Sequence, residues 1–439
     1  MKKNIAIIFM AAAIILLIWH IATRPEPEFL SIGDNPDRKV EIENTELTGW
    51  KKGKKSWYIR ADSIWFGQNR DIAFFDRIHR GNLYNNSGSL IMDELTGKDG
   101  RAYLGQESIF VSGNVYGRYI NKKREKTILS AEQLTYSAGE MKLRGYVKAV
   151  QDEFEITAPF VTVQPTNNLT YFPMGFIWKS GKDRISAEYL EYNLDKYSGR
   201  ISGNVEALLL NPTACITSRA GRISEHTYQM IKDVIYKSAD TSFKCGQLEW
   251  FRKEGRLTAR KISDLKKDGN VINGDEAEIW TEPFRASLKE KIVIQRLYDR
   301  ILGKKAIFNN RNLKMTGGVV IEIERIGKHV PEKYRQKARA GRMQESLKQP
   351  AVIKGNVLAH YPKNEITIIR GKAEVAQGAK TARAEKIAYY TKEGVLQLEK
   401  DVQIKEGLEW INCDWITVNL DTSEFIVSGN VESRILIEK

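Results

Sequence analysis

The four-residue motif Ser-Gly-Asn-Val occurs three times in this chain of 439 residues. It occurs in "FVSGNVYG" at 110–117, "RISGNVEA" at 200–207 and "FIVSGNVES" at 425–433, and each time an apolar residue stands two positions before the glycine. Glycine adopts a positive φ without strain, and asparagine tolerates the left-handed region. The motif therefore predicts a recurring turn or bulge, at which one β-strand ends and the chain bends into the next.

The motif belongs to a longer repeat that is marked by one small residue. In "ISAEYLEY" this residue is Ala187, and several neighbouring copies lie 27–29 residues apart. The full set of small residues is Ala61, Ala131, Ala158, Ala187, Cys245, Ala384 and Cys413. Repetition at this period predicts a stacked or extended architecture rather than one compact globule.

Apolar residues keep fixed offsets of −2, 0, +3 and +5 from the small residue, as in Ile185, Ala187, Leu190 and Tyr192. A flat strand buries every second residue, so the gap of three reverses which face is buried. A β-bulge at this point restores the facing and bends the strand. Because the bend recurs, we expect a β-ribbon folded along one crease, with the small residue at the crease where a large side chain does not fit.

The chain is basic, with a formal net charge of +14. Such a charge favours anionic partners, including phosphates, acidic glycans and an anionic membrane surface. The basic residues are spread along the whole chain and accompany no recognisable nucleic-acid module. Nucleic acid is therefore not an expected partner.

The N-terminal segment predicts a transmembrane anchor. Residues 4–23 are mostly apolar and long enough for a helix that crosses a bilayer, and Lys2 and Lys3 precede them. The lysines are expected to stay cytoplasmic, which places the rest of the chain on the other side of the membrane. The alternative is a cleaved signal peptide, but no small-x-small cleavage site follows Trp19.

One basic segment, residues 329–350, interrupts the strand pattern. It contains good helix formers, no strand alternation, and six basic residues against two glutamates. We expect an inserted loop with a short helix. It is either a solvated insertion or a contact site for an anion.

Three cysteines stand at wide spacing and form no zinc or CxxC pattern. Cys215 and Cys245 could pair in an oxidising compartment. The favoured interpretation is that all three cysteines are small core residues, since the repeat puts Cys245 and Cys413 at creases.

The sequence contains no motif for a cofactor, a metal or a catalytic nucleophile. Phosphate-binding glycine loops, zinc-protease motifs and the nucleophile-elbow motif are absent, and the five histidines form no spaced pair. We expect neither a cofactor nor a metal, and we expect that the protein is not an enzyme. Carboxylate pairs on the polar faces of the strands still leave a glycan-processing enzyme possible.

After the anchor, the chain resembles the bridge proteins of lipopolysaccharide export. Residues 38–150 resemble the LptC family through "VEIENTELTGWKKGKKSWYIRADSIWF", "GRAYLGQESIFVSGNVYG" and "TILSAEQLTYSAGEMKLRGYV". Residues 151–439 resemble the LptA/OstA family, whose units read as an apolar-x-Ala strand followed by a G-x-V strand. The predicted domains are an anchor in 1–25, an LptC-like part in 26–150 and LptA/OstA-like repeats in 151–439.

The resemblance implies an all-β fold, an extended and open V-shaped β-jelly roll. It also implies a position in the periplasm with a single-pass inner-membrane anchor, acyl chains of lipopolysaccharide in an apolar cleft, and delivery from an inner-membrane ABC transporter. Bridge proteins of this kind join edge to edge by strand pairing, and Ile435 and Ile437 would lie on the docking edge. The candidate cleft-lining residues are Ile59, Ile64, Leu134, Val161, Leu190, Leu248, Ile387 and Ile416.

Three alternatives stay open on the sequence. The candidate cleft-lining residues could form a closed core instead of an open cleft. The chain could be a structural or adhesive β-solenoid without lipid cargo. It could also be a glycan-processing β-helix enzyme, which predicts a surface groove with clustered aspartates and glutamates.

Overall fold

The computed structural model describes residues 40–66, 71–104, 108–152, 154–210, 213–267, 269–281, 284–296, 299–309, 311–324, 349–419 and 424–435. The predicted anchor and residues 329–348 of the predicted insertion lie outside these ranges. Within them, no helix is long and apolar enough to cross a membrane. The regular structure is almost entirely β, which confirms the predicted all-β class; the only helical element in these ranges is the short 3₁₀ turn Pro362–Asn364.

The strands form one sheet and follow one another along the chain. They are β1 (Val40–Lys51), β2 (Lys54–Phe66), β3 (Ile72–Tyr84), β4 (Leu90–Tyr103), β5 (Ser108–Ile120), β6 (Lys126–Ser137), β7 (Glu140–Gln151), β8 (Phe154–Gln164), β9 (Leu169–Phe172), β10 (Phe176–Ser180), β11 (Asp183–Ala187), β12 (Tyr189–Asn193), β13 (Ser198–Leu210), β14 (Thr213–Ser224), β15 (Thr227–Ser238), β16 (Ser242–Phe251), β17 (Arg256–Lys267), β18 (Asn270–Thr281), β19 (Phe284–Arg296), β20 (Asp299–Asn309), β21 (Leu313–Ile323), β22 (Ala351–Tyr361), β23 (Ile366–Gln377), β24 (Lys380–Tyr390), β25 (Val395–Glu406), β26 (Glu409–Asn419), β27 (Glu424–Ser428) and β28 (Glu432–Arg434).

All strand pairs are antiparallel, and each long strand pairs with its neighbours in the chain. At three places two short strands pair with the same long strand: β9 and β10 with β8, β11 and β12 with β13, and β27 and β28 with β26. The ladder between β7 and β8 is continuous across residues 150 and 151. The sheet therefore runs without a break through the predicted boundary between the two β-domains.

In β5 and β13 the Gly-Asn motif lies inside the strand and not at its end, which corrects the sequence prediction for these two copies; the third copy, Gly429-Asn430, lies between β27 and β28 as predicted. In β13, Ser202 pairs with Ala220, and the next pair is Val205 with Ser218, so β13 holds one extra residue at this point. Gly203 and Asn204 absorb that residue with φ values of +74° and +41°. Two successive left-handed residues restore the facing of the side chains while the strand continues.

The predicted crease residues lie at these irregular points of the ladder. At Ala131 and Cys245, for example, the pairing shifts by one residue between Ser130 and Gln133 and between Ile231 and Val234. Similar shifts lie beside Ala61, Ala158, Ala384 and Cys413, and Ala187 stands at the break between β11 and β12.

The crease divides the sheet into two walls that face each other. Wall 1 ends in turns such as 121–125 and 181–182, and wall 2 ends in turns such as 165–168, 194–197 and 252–255. We call the side where these turns lie the mouth. One hydrophobic cluster fills the space between the walls over nearly the whole length of the sheet, from Trp57 to Ile416.

Candidate functional site

The eight candidate cleft-lining residues lie between the two walls, and all of them are buried. Their exposed fractions range from 0 to 4%, and all eight belong to the single hydrophobic cluster. These positions are therefore part of a packed interior. Seven of the eight stand at offset +3, close to the crease, whereas Ile59 stands at offset −2, nearer the mouth. The contacts at the mouth determine whether a ligand can enter.

Aromatic side chains close the mouth in the first half of the sheet. Phe154 and Trp178 on wall 1 both contact Tyr192 on wall 2, with ring centroids 6.1 and 5.2 Å apart. Phe154 and Trp178 also stack on each other at 4.7 Å. Burial raises the pKa of Tyr192, as expected for a phenol enclosed by apolar groups.

A buried hydrogen bond joins the walls at the end of β5. The hydroxyl of Tyr119 on wall 1 donates to Oδ1 of Asn168 on wall 2, at 2.7 Å. The Asn168 amide in turn donates to both carboxylate oxygens of Asp195, at 2.8 Å each. Because Asp195 lies in the next turn of wall 2, the network ties the mouth together along two neighbouring hairpins.

The turn 121–125 of wall 1 contacts the turn 194–197 of wall 2. The Asn121 amide donates to the backbone oxygen of Leu194 at 3.5 Å, and the ammonium of Lys123 lies 4.8 Å from the Tyr197 ring centroid. A hydrogen bond from Tyr197 lowers the pKa of Glu125. Burial, followed by the contact with Glu125, raises the pKa of Tyr197 to about 12.

Arg252 forms a third connection across the mouth. This residue follows β16 on wall 2, and its guanidinium donates to the backbone oxygen of Ser180 at 3.2 Å. Its Nε lies 3.5 Å from the Asp183 carboxylate. Burial raises the pKa of Asp183, although the charge of Arg252 acts in the opposite direction. These contacts hold wall 1 and wall 2 together at the second end of the aromatic cluster.

A cavity of about 860 Å³ lies between these cross-wall connections. Its lining includes Glu125, Asp152, Trp178, Asp183, Tyr197, Glu225, Trp250, Arg252 and Glu254. The carboxylates therefore occur beside basic and aromatic groups. Across the described ranges, no cluster of three or more His, Cys, Asp or Glu residues has the arrangement of a metal site.

Among the described residues, the mouth is open in the last third of the sheet. From β22 to β26, residues near the crease are buried, as in Leu358, Ile369, Leu398 and Val402. Aliphatic side chains nearer the mouth stay partly exposed to solvent, and all of them except Ile411 pack on the cluster. They are Ile353, Val375, Leu396, Ile404, Ile411 and Val418.

The candidate docking edge lies beside β26. β28 pairs with Trp410, Ile411 and Asn412 of β26 and ends at Arg434, one residue before Ile435. Ile435 is 66% exposed, and Ile437 lies outside the described residues. Docking at this edge stays a prediction.

The three cysteines are free thiols, and one of them is not a core residue. Cys245 and Cys413 are buried at creases, whereas Cys215 is partly exposed on the outer face of β14, with Glu206 as its contact. Burial raises the pKa of the Cys245 thiol to about 12. The expectation that all three cysteines pack in the core is therefore wrong for Cys215, which lacks the repeat offset that the other two share.

Comparisons with known proteins add little to this geometry. No family model matches the chain, and no curated protein is detectably similar to it. Among solved structures, the chain is similar to LptH of Pseudomonas aeruginosa, described as the LptA-homologous periplasmic component of the lipopolysaccharide transport device. The alignment covers 38% of this chain and 95% of LptH, with 12% identity and a TM-score of 0.24. A TM-score this low carries no argument about function.

Proposed function

We propose that this protein is a component of an extracytoplasmic lipid-transport bridge that holds acyl chains between the two walls of its sheet. The cargo is lipopolysaccharide or a related lipid, received from an inner-membrane ABC transporter and passed towards the outer membrane. The function requires no catalytic residue. It needs an apolar surface that an acyl chain can reach from solvent.

One observation carries this proposal: an unbroken apolar interior extends along the sheet and reaches solvent through a row of aliphatic side chains. The row belongs to β22–β26, where Val375 and Ile404 on wall 1 face the same opening as Leu396 on wall 2. Each methylene moved from water into such a surface contributes about 0.8 kcal/mol. A long acyl chain would therefore gain a large stabilisation from this opening.

The proposed setting is the periplasm, with residues 4–23 as an uncleaved inner-membrane anchor. The apolar span without a cleavage site supports this setting. The proposed partners are other bridge proteins of the β-jelly-roll type, which would extend the sheet by pairing with a terminal strand. β27 and β28 pair with β26 on one side, and no described strand pairs with the other side of these two short strands.

The cavity between the walls supports a second candidate function, glycan binding or processing. Its carboxylates and aromatic side chains are the groups expected at a sugar site. The antiparallel pairing of neighbouring strands is unlike the parallel coils of a β-helix. This second function would therefore use the cavity without the predicted β-helix fold.

The test of the lipid proposal is the content of the full-length protein purified from its host membranes. The proposal expects acyl lipids, with lipopolysaccharide enriched over bulk phospholipid, after organic extraction and mass spectrometry. A chain that carries no lipid above the level of an unrelated single-pass membrane protein contradicts it. Release of reducing sugars from added glycans would favour the second candidate.

A further inference from the structure

We infer that the lipid enters the trough in the section formed by β22–β26 and not in the section from β5 to β16, which its cross-wall contacts hold shut. This inference rests on the proposed function and assigns it to particular strands. The open section consists of β22, β23, β24, β25 and β26. The closed section contains the aromatic cluster and the three polar connections described above.

Equivalent positions of the repeat show the difference between the sections. At offset −2 on wall 1, Ile185 is fully buried, whereas Ile411 is partly exposed. At offset +5 on wall 2, Val163 is 2% exposed, whereas Val418 is partly exposed. Because the residue types are the same in each pair, the difference in exposure comes from what surrounds each position and not from the side chain itself.

The exposure in the open section is not an effect of the end of the sheet. β23, β24 and β25 each pair with a strand on both sides. Their mouth-side residues Val375, Leu396 and Ile404 are nevertheless partly exposed. The opening therefore belongs to the interior of the sheet.

The chemistry of the opening suits a hydrocarbon chain better than a peptide. The backbone groups of β23–β25 are used in the ladders on both sides, so the walls offer side chains to an occupant. The side chains in question are aliphatic, as at Ile353, Val375 and Ile404. A peptide buried against them would leave its own amide groups without partners, whereas an acyl chain has none to satisfy.

The size of the opening also fits. Neighbouring strands lie about 4.8 Å apart, so the four spacings from β22 to β26 extend over about 19 Å. This length is comparable with that of an extended long-chain fatty acyl tail. An acyl chain can therefore lie across the strands from β22 to β26 without entering the closed section.

The test is photo-crosslinking in the full-length protein with a diazirine-bearing aliphatic amino acid close to leucine in size. It is placed singly at Ile411 and Val418 in the open section, and at Ile185 and Val163 as matched positions in the closed section. Each variant is incubated with radiolabelled lipopolysaccharide and, separately, with a radiolabelled diacyl phospholipid. Thermal melting of each variant checks its fold. Because there are two independent pairs of matched positions, one pair still allows the comparison if a variant of the other pair fails to fold.

The inference expects cross-linking to lipid that is several-fold stronger at Ile411 and Val418 than at Ile185 and Val163. Equal cross-linking at all four positions would overturn the inference and leave the proposed function standing. Stronger cross-linking in the closed section would also overturn it. Absence of cross-linking to either lipid at every position would instead count against the proposed function itself. The ratio between the two lipids identifies the source of the acyl chain.

Discussion

The Tyr119 hydroxyl lies 2.7 Å from Oδ1 of Asn168, and this buried hydrogen bond joins the two walls of the sheet across its mouth. The two residues are 49 positions apart in the chain. Between them lie the hairpins of β6, β7 and β8, so the bond closes a section of the trough rather than a single hairpin.

Loss of this bond is expected to weaken the closed section. Tyr119→Phe leaves Oδ1 of Asn168 buried without its donor, which typically costs about 1 to 3 kcal/mol of unfolding free energy. Urea unfolding measures the effect. Tyr171→Phe is the matched control, because Tyr171 is partly exposed on the outer face of β9, and its loss is expected to be below about 0.5 kcal/mol. Equal effects of the two changes would show that the Tyr119 hydroxyl does not stabilise the fold.

A large residue at the crease is expected to disrupt the sheet. Ala187 is 8% exposed at the break between β11 and β12, and Ala187→Trp should cost 3 kcal/mol or more, at the upper end of the usual ~1–3 kcal/mol for overpacking. Ser186→Trp, one residue earlier on the outer face, should cost much less. Thermal melting compares the two. Matching melting temperatures for both tryptophan variants would contradict the crease at Ala187.

The bulge glycine Gly203 is expected to tolerate a side chain poorly, and Gly269, in the turn between β17 and β18, serves as its control. Gly269→Ala places its Cβ in open space at a φ of +75°, so its cost should be that of the left-handed conformation, about 1–2 kcal/mol. Gly203→Ala adds a contact at 2.8 Å with Cβ of Glu188 and should cost more. Urea unfolding of both variants separates the cost of the left-handed conformation from the cost of the contact with Glu188. A Gly203→Ala variant as stable as Gly269→Ala would show that Glu188 moves away freely.

Alkaline pH is expected to destabilise the closed section. Burial raises the pKa of Tyr119 and Tyr192, and raises that of Tyr136 and Tyr228 to about 12. In the unfolded chain these phenols ionise near pH 10, so the folded state holds more protons above that pH. Stability should therefore be fully present below about pH 10 and decline as the pH rises towards 12. Denaturant unfolding at stepped pH, with tyrosinate absorbance as a second signal, checks this. Tyrosinate absorbance that rises fully near pH 10 in the folded protein would contradict the burial.

The features that could be predicted from the sequence are those that depend on residues close together in the chain. The all-β class follows from short apolar alternation, and the reversal of facing around Ala187 is visible because it recurs at a fixed offset. The place of the bulge within its strand was less visible. Gly203 and Asn204 resemble a strand end, and Lys232 and Asp233 adopt the same left-handed pair without any glycine. The strand stays continuous because it pairs with a neighbouring strand on both sides, and this pairing is not visible in the sequence.

The closure of the mouth could not be predicted from the repeat. Ile185 and Ile411 occupy the same offset and are the same residue type, yet only Ile411 is partly exposed. The difference depends on contacts between distant turns, such as the bond from Arg252 to Ser180, whose partners are 72 positions apart. Nothing in the sequence next to Arg252 indicates this distant partner.

The most direct test of lipid binding is an equilibrium titration of the full-length protein with fluorescent lipopolysaccharide. Val375→Asp combined with Ile404→Asp places two carboxylates inside the open section. Ala376→Asp combined with Gln403→Asp places the same charges one residue away on the outer face. The account predicts saturable binding by the unmodified protein and by the outer-face variant, and loss of binding in the inner-face variant. Absence of saturable binding by the unmodified protein, or binding that is unchanged by the two inner carboxylates, would contradict it.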